Sequence, residues 1–448
     1  LLTFVDSSSP EVAISRYYFF RNRRDFKFHN KEKTALKKRF KILISAFACN
    51  PYLGSEPGVG WGWVNAIAVN HEVWTLTVDS NQKDIEKEIS LNPRCYKSVR
   101  FFYIPRTRWL TLEKLWPPSY LWTYQLWQRT AYQAGLKLHQ AIKFDLTHQL
   151  TYVGFRTPGY LWKLDIPFVW GPIGGLENTP WRYFPMLGLS GAFYYAARNM
   201  INSLHKRFLV LPKKAFGKAN GGIIAATHGI QAEIQKWYGF KSHVISEIGV
   251  SDSLPTVYTI RRDGEPLKLV WSGSHSPEKA LPLLLYALNQ LPKDVDYALA
   301  ILGKGPCTLQ WRRLAIQLNI DKRCKWTGWI PKDQALSLAR NSHVMAITSL
   351  KDLTSSVLVE ALSLGVPVIC FDHCGFSDIV TDECGIKIMP RYQSQMIRDI
   401  ALNIAHLWQN EELRRQLAKG ALQRASSLAW RQKGKQIHEI YQNLMESS

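Results

Sequence analysis

Residues 343–371 read HVMAITSLKDLTSSVLVEALSLGVPVICF. Two apolar runs, 343–348 and 366–371, enclose a segment, 355–364, with the punctuation of a helix. Thr354, Ser355 and Ser356 are N-cap candidates, Gly365 is a natural stop, and Pro367 prevents continuation. The flanking runs are short and almost free of charge, as strands buried on both faces are. Strand, helix and strand at this spacing predict a βαβ unit and a parallel sheet.

The same alternation extends outward. Strand 267–272 precedes helix 277–291, and strand 296–302 precedes helix 308–318. Far upstream, the run 41–47 leads into a glycine-rich turn at 54–60, a helix at 61–69 and a strand at 72–77. Strand-like runs follow at 144–148, 168–175 and 222–226. The glycines of 54–60 do not match the spacing of a dinucleotide fingerprint, and no ribose-binding acid follows them. The pattern predicts an α/β protein with two doubly wound domains facing across a cleft. The divisions expected are a basic extension at 1–40, a first domain at 41–250, a linker at 251–266, a second domain at 267–420, and a final segment at 421–448.

The 448 residues suffice for two or three cores, and 46% hydrophobic with 21% charged residues is ordinary globular composition. No stretch reaches the 18 or so uncharged apolar residues of a membrane span. Residues 1–20 lack the basic-apolar-small pattern of a secretory leader, so a cytoplasmic protein is expected. Seven cysteines, an odd and scattered set, argue for a reducing compartment rather than a disulfide framework. Cys370, His373, Cys374 and Cys384 could be read as zinc ligands. Against this, Cys370 ends an apolar strand-like run and paired CxxC spacing is absent, so no metal is expected.

The net charge is +22, of which residues 1–41 carry +7. A basic surface attracts polyanions: nucleic acid, anionic lipid or phosphorylated substrates. No zinc-finger, RNA-recognition or helix-turn-helix pattern supports specific nucleic-acid binding. Residues 106–138 and 181–216 mix aromatics with basic residues, including Trp109, Trp116, Trp122, Trp127, Trp181 and Arg182. Such mixtures suit an anionic membrane surface, which would make the protein peripheral at the inner face. The competing expectation is that the aromatics fill the core and an acceptor cleft.

At the start of segment 355–364, free N–H groups and the helix dipole form an anion site suited to a diphosphate. Asp352 stands before that terminus, and Glu360 lies one to two turns inside. Carboxylates accept strong hydrogen bonds from sugar hydroxyls. The alternative is an ordinary helix with two solvated acids.

These residues resemble the E-x7-E signature of the retaining family-four glycosyltransferases of the GT-B fold, with Asp352 in place of the first Glu. Four further segments resemble the same family in order. Trp271–Leu281 is similar to its donor-phosphate segment, with Ser274 where an Arg is usual and Lys279 five residues later. Ala300–Pro306, containing Gly303, resembles its strand-to-loop turn near the nucleotide. Trp326–Pro331, containing Trp329 and Ile330, resembles the base-contacting segment. Cys370–Gly375 resembles the loop after the next strand. In the first half, Gly54–Gly58 resembles the family's glycine loop and His148 its donor-side histidine. Trp430 and the residues after it resemble a helix crossing back to the first domain.

The resemblance implies two Rossmann-like domains and transfer of a sugar from a UDP- or GDP-linked donor, with retention, to a hydroxyl of a saccharide or lipid-linked acceptor. Polysaccharide or glycolipid synthesis is the implied setting. Lys279 and the N–H groups near Ser355 and Ser356 would hold the diphosphate, Asp352 the sugar, Glu360 the ribose, and His148 would approach the sugar from the other domain. Gly54, Ser274, Gly303, Trp329 and Ile330 would line the donor. No cofactor or metal is implied beyond the nucleotide sugar itself. A GT-B-type phosphorylase and a non-catalytic membrane-associated or polyanion-binding protein are the alternatives.

Overall fold

The computed structural model describes residues 38–106 and 120–447, with the side chains of residues 120 and 121 left aside. The basic stretch 1–37, Trp109 and Trp116 therefore lie outside the described residues.

Two parallel sheets carry the chain. The first has seven strands in the order β3-β2-β1-β4-β5-β6-β7: β1 (Lys41–Ala46), β2 (Glu72–Val78), β3 (Val99–Ile104), β4 (Leu146–Thr151), β5 (Phe168–Ile173), β6 (Ile223–Ala225) and β7 (His243–Val244). The second has six in the order β10-β9-β8-β11-β12-β13: β8 (Leu267–Ser272), β9 (Tyr297–Leu302), β10 (Cys324–Gly328), β11 (Val344–Ile347), β12 (Val368–Phe371) and β13 (Gly385–Ile388). Both orders reverse beside their first strand, which opens a crevice at the carboxyl ends of the strands. Each sheet has an apolar cluster on either face. That double burial explains why the strands read as unbroken apolar runs rather than as alternation.

Two local expectations need correction. The glycine-rich stretch 54–60 is no turn: a helix runs Ser55–Ala68, with Gly54 at its N-cap. Pro57 is tolerated there because first-turn N–H groups have no helical partner. Gly60 lets this helix lie against β1's following loop, since a Cβ on it would fall 1.9 Å from the Ala48 carbonyl oxygen. The predicted helix 277–291 is broken at Ala280, whose φ of +46° separates a 3-10 turn, Pro277–Lys279, from a helix at Leu281–Asn289.

The final helix, Trp430–Glu446, returns to the first sheet. Its Trp430 indole fills a slot between Gly62 and Gly249; a Cβ on either would come within 2.2 Å and 2.6 Å of the ring. Farther along, Tyr441 reaches His148 and His438 reaches His71. The aromatic segments divide between core and surface. Trp127 and Tyr183 are buried, whereas Trp122 and Trp181 are exposed.

Candidate donor site

The loop Thr348–Thr354 leaves the carboxyl end of β11 and is fixed by bonds to the turn after β8. Thr348 accepts from the Trp271 indole N–H at 2.9 Å and donates to the Lys279 carbonyl at 2.7 Å. The Leu350 amide donates to the Glu278 carbonyl at 2.7 Å. With both backbones tied, the Lys279 ammonium meets the Asp352 carboxylate at 2.6 Å. Both side chains are about one-fifth exposed, so the pair is open at the mouth of the crevice.

Beyond Asp352 the chain enters the helix Ser356–Ser363 with Ser355 at the N-cap, and neither serine closes the terminus by a side-chain cap bond. First-turn amides without helical partners, together with the dipole, make this end attractive to anions. Just before the N-cap, the Thr354 amide is engaged from behind, donating to Glu247 at 3.2 Å. Burial raises the Glu247 carboxyl to about 7. On the same helix, Glu360 pairs with Lys332 at 2.9 Å beside Ser272, Leu302 and Val357.

The remaining second-domain residues gather at the same carboxyl edge. Gly303, at φ +104°, is pressed so closely on Gly273 that a Cβ would lie 2.0 Å from the Gly273 carbonyl oxygen, and its N–H bonds Gly328 at 2.9 Å. The ends of β8, β9 and β10 are thus drawn together. Ser274 is exposed and bonded to Ser276 at 3.0 Å. Trp329 is 71% exposed, while Ile330 is half-buried against the cluster on that face.

The first domain closes the other side. Lys351 donates to the Glu177 carbonyl at 2.9 Å, and a Cβ on Gly174 would come within 2.6 Å of Leu353. His228 bonds Asp378 through both its backbone N–H and its ring, at 2.8 Å and 2.7 Å. Tyr183 brings its ring to 5.5 Å from that of His373, and Arg182 bonds the Tyr183 hydroxyl at 3.3 Å. Burial pushes His373 down to about 4, and its charged neighbours are Lys351, Asp352 and Arg182.

His148 is not at this cleft. It sits inside β4, fully buried, with one ring nitrogen 2.6 Å from the Tyr441 hydroxyl and the other 2.8 Å from the Gly171 carbonyl. Burial lowers its pKa to about 4. Both nitrogens are spent on structure, so the expected approach of His148 to the sugar is withdrawn. Gly54 lies exposed at the N-cap of the first helix, and nothing stands within 4 Å of the place where its Cβ would be. Sequence reasoning missed Glu56, which accepts from the Val153 amide and is raised to about 7 by burial. It also missed Glu247, and it named Arg182 only among the basic neighbours of the aromatic segments. Only a glutamate inside a glycine-rich stretch hinted at the first.

Residues 259–424 match the family model described as "Glycosyl transferases group 1". This part of the chain is therefore similar to a glycosyl transferases group 1 domain. Among curated relatives, TuaC of Bacillus subtilis, named for teichuronic acid biosynthesis, is 29% identical over 44% of this chain and 51% of its own length. The D-inositol 3-phosphate glycosyltransferase of Corynebacterium efficiens is 23% identical over 40% of this chain and 44% of its own length. The chain thus spans about half the length of these relatives. Solved structures agree over nearly the whole chain. Sucrose-phosphate synthase from Thermosynechococcus elongatus aligns with a TM-score of 0.61 at 16% identity, covering 92% of this chain and 100% of that one. HepE of Anabaena, solved with UDP, gives 0.56 at 15% identity, covering 90% and 100%. At such identities the likeness shows the fold, which is GT-B. Lys279, Asp352, Ser356 and Glu360 all fall within the matched residues.

Proposed function

We propose that this protein is a glycosyltransferase that moves a sugar from a nucleoside-diphosphate sugar to an acceptor hydroxyl with retention at the anomeric carbon. The observation that carries the reading is the Lys279–Asp352 pair, held at 2.6 Å beside the open amino end of the helix Ser356–Ser363. A cation and unpaired amides there suit a departing diphosphate, and a carboxylate next to them suits the sugar it leaves.

In the proposed step the bond from the anomeric carbon to the phosphate oxygen breaks, and its electron pair leaves with the diphosphate. The acceptor oxygen attacks from the same face, and its proton passes to the departing phosphate oxygen. Lys279 and the first-turn amides stabilise the charge that develops, which is electrostatic catalysis by fixed groups. Arg182 supplies the guanidinium that Ser274 cannot, reaching over from the first domain. Asp352 accepts from sugar hydroxyls and Glu360 from the ribose. HepE, which shares the fold, was solved with UDP and with UDP-glucose, which supports a uridine donor ahead of a guanosine one. The acceptor is a saccharide or a lipid-linked saccharide, and the setting is cytoplasmic, in keeping with seven unbridged cysteines.

A thermal-shift screen of UDP, GDP and their sugars tests this, because a ligand of the native state raises the melting point. Stabilisation by one nucleotide and its sugars is expected; no response to any of them defeats the proposal. With the donor known, the anomeric configuration of the product decides retention. Chelation by EDTA should leave turnover unchanged, since protein groups carry the positive charge in this scheme. Activity lost to EDTA and restored by a divalent cation would overturn that part.

A further inference from the structure

The helix Gly188–Phe208 is inside out. Its buried side carries Asn199, Asn202 and Lys206. Asn199 exchanges two hydrogen bonds with the Thr179 backbone, at 2.7 Å and 2.9 Å, and Asn202 and Lys206 donate to the Leu176 carbonyl at 2.9 Å and 3.0 Å. Its outer side carries Leu189, Phe193, Tyr194, Ile201, Leu204 and Phe208, with Leu189 94% and Phe193 80% exposed. At 3.6 residues per turn these six fall within one arc of about 140°. An amphipathic helix on a protein in water normally turns that face inward. Here the hydrogen bonds of the polar face fix the opposite orientation, so rotation cannot hide the apolar arc.

Charge around the arc selects the occupant. Between Glu177 and Glu233 the sequence contains no Asp or Glu. Arg198, Arg207, Lys213 and Lys214 are all exposed in that interval. An apolar centre with a basic rim fits a bilayer carrying anionic headgroups. A second copy of this chain would set two basic rims against each other, and a polyphosphate would gain nothing from exposed Leu and Phe.

We propose that this helix is a membrane-docking surface that lies in the headgroup layer of an anionic bilayer. The inference stands on these contacts alone, independent of the donor site. It also has a consequence for that site. On the helix's inner side Tyr195 and Leu187 join the apolar cluster of the second domain, and Gly191 packs on Pro277, two residues from Lys279. The docked face and the donor segment are then separated by about one helix diameter, on the order of 10 Å, which suits an acceptor anchored in the same bilayer.

The test is co-sedimentation of the full chain with phosphatidylcholine vesicles, with and without phosphatidylglycerol. Binding to the anionic vesicles is expected. A variant with Leu189→Ser, Phe193→Ser and Phe208→Ser should lose about tenfold or more of it, as should one with Arg207→Glu, Lys213→Glu and Lys214→Glu. Both variants should keep the wild-type melting temperature and nucleotide-induced shift, because none of these residues supports the core or the proposed donor contacts. Equal binding by wild type and variants would overturn the proposal, as would no binding by the wild type. A wild-type dimer that the serine variant breaks, without vesicle binding, would assign the face to a second copy and overturn it too.

Discussion

Lys279 and Asp352 lie 73 residues apart in sequence, yet their charges meet because Thr348 and Leu350 are each tied to the 277–279 turn. A partly exposed ion pair of this kind contributes little to stability, roughly 0–1 kcal/mol. Lys279→Ala should therefore leave the melting temperature nearly unchanged while lowering turnover on the order of 10²-fold, the usual cost of losing one electrostatic stabiliser of the transition state. Steady-state kinetics with the identified donor checks this, and unchanged kcat would remove Lys279 from the chemistry. His148 gives the converse case. His148→Ala would strand the Tyr441 hydroxyl and the Gly171 carbonyl, each buried, at about 1–3 kcal/mol for an unsatisfied group. Thermal unfolding should show that loss, while the folded fraction keeps its turnover. The identity of a histidine was readable in the sequence; its place was not. Residue 148 lies within a strand, and only the sheet order and the returning Tyr441 decide that both ring nitrogens point into protein.

The helix Ser356–Ser363 was legible as an element from its caps and its stop, to within a residue or two at each end. Its spacing also put Asp352 and Glu360 on the same local structure. Glu360→Gln keeps the shape but weakens hydrogen bonds by removing the charge. The dissociation constant for the donor should rise about tenfold, measured by calorimetry, and an unaltered constant would detach Glu360 from the ribose. The helix Ser55–Ala68 was misread because glycines and a proline normally mark turns. In this helix they permit close approach: Gly60 to the loop after β1, Gly62 to the Trp430 indole. That contact is formed by a residue 368 positions later in the chain, so no local pattern announces it. Gly62→Ala should push a methyl into the ring and destabilise by about 1–3 kcal/mol, the usual cost of overpacking. An unchanged melting temperature would mean that the last helix is not seated as described.

Across the whole molecule, the buried titratable groups set a stability profile that no single element reveals. His71 is held at about 3 and His148, His343 and His373 at about 4, each chiefly by burial, well below the ordinary histidine value of 6.5. For these four the folded state binds fewer protons than the unfolded chain between roughly pH 4 and 6.5. Their contribution is complete above pH 6.5 and is lost as pH falls through that window. Glu56 and Glu247 oppose them. Burial raises both from 4.5 to about 7, so between those values the folded state keeps protons that the unfolded chain releases. Their contribution is greatest below pH 4.5 and declines as pH rises to 7. Near pH 5.5 four histidine terms outweigh two glutamate terms, and each net proton is worth about 1.4 kcal/mol per pH unit at most. Stability should thus peak near pH 6.5–7 and fall on acidification to about pH 4, below which the folded histidines take up protons too and the decline eases. Melting temperatures measured across pH 4–8 test this. Glu247→Gln removes one opposing group, so it should steepen the decline between pH 6.5 and 4.5; a flat profile in wild type would mean that these histidines are open to water in the folded chain.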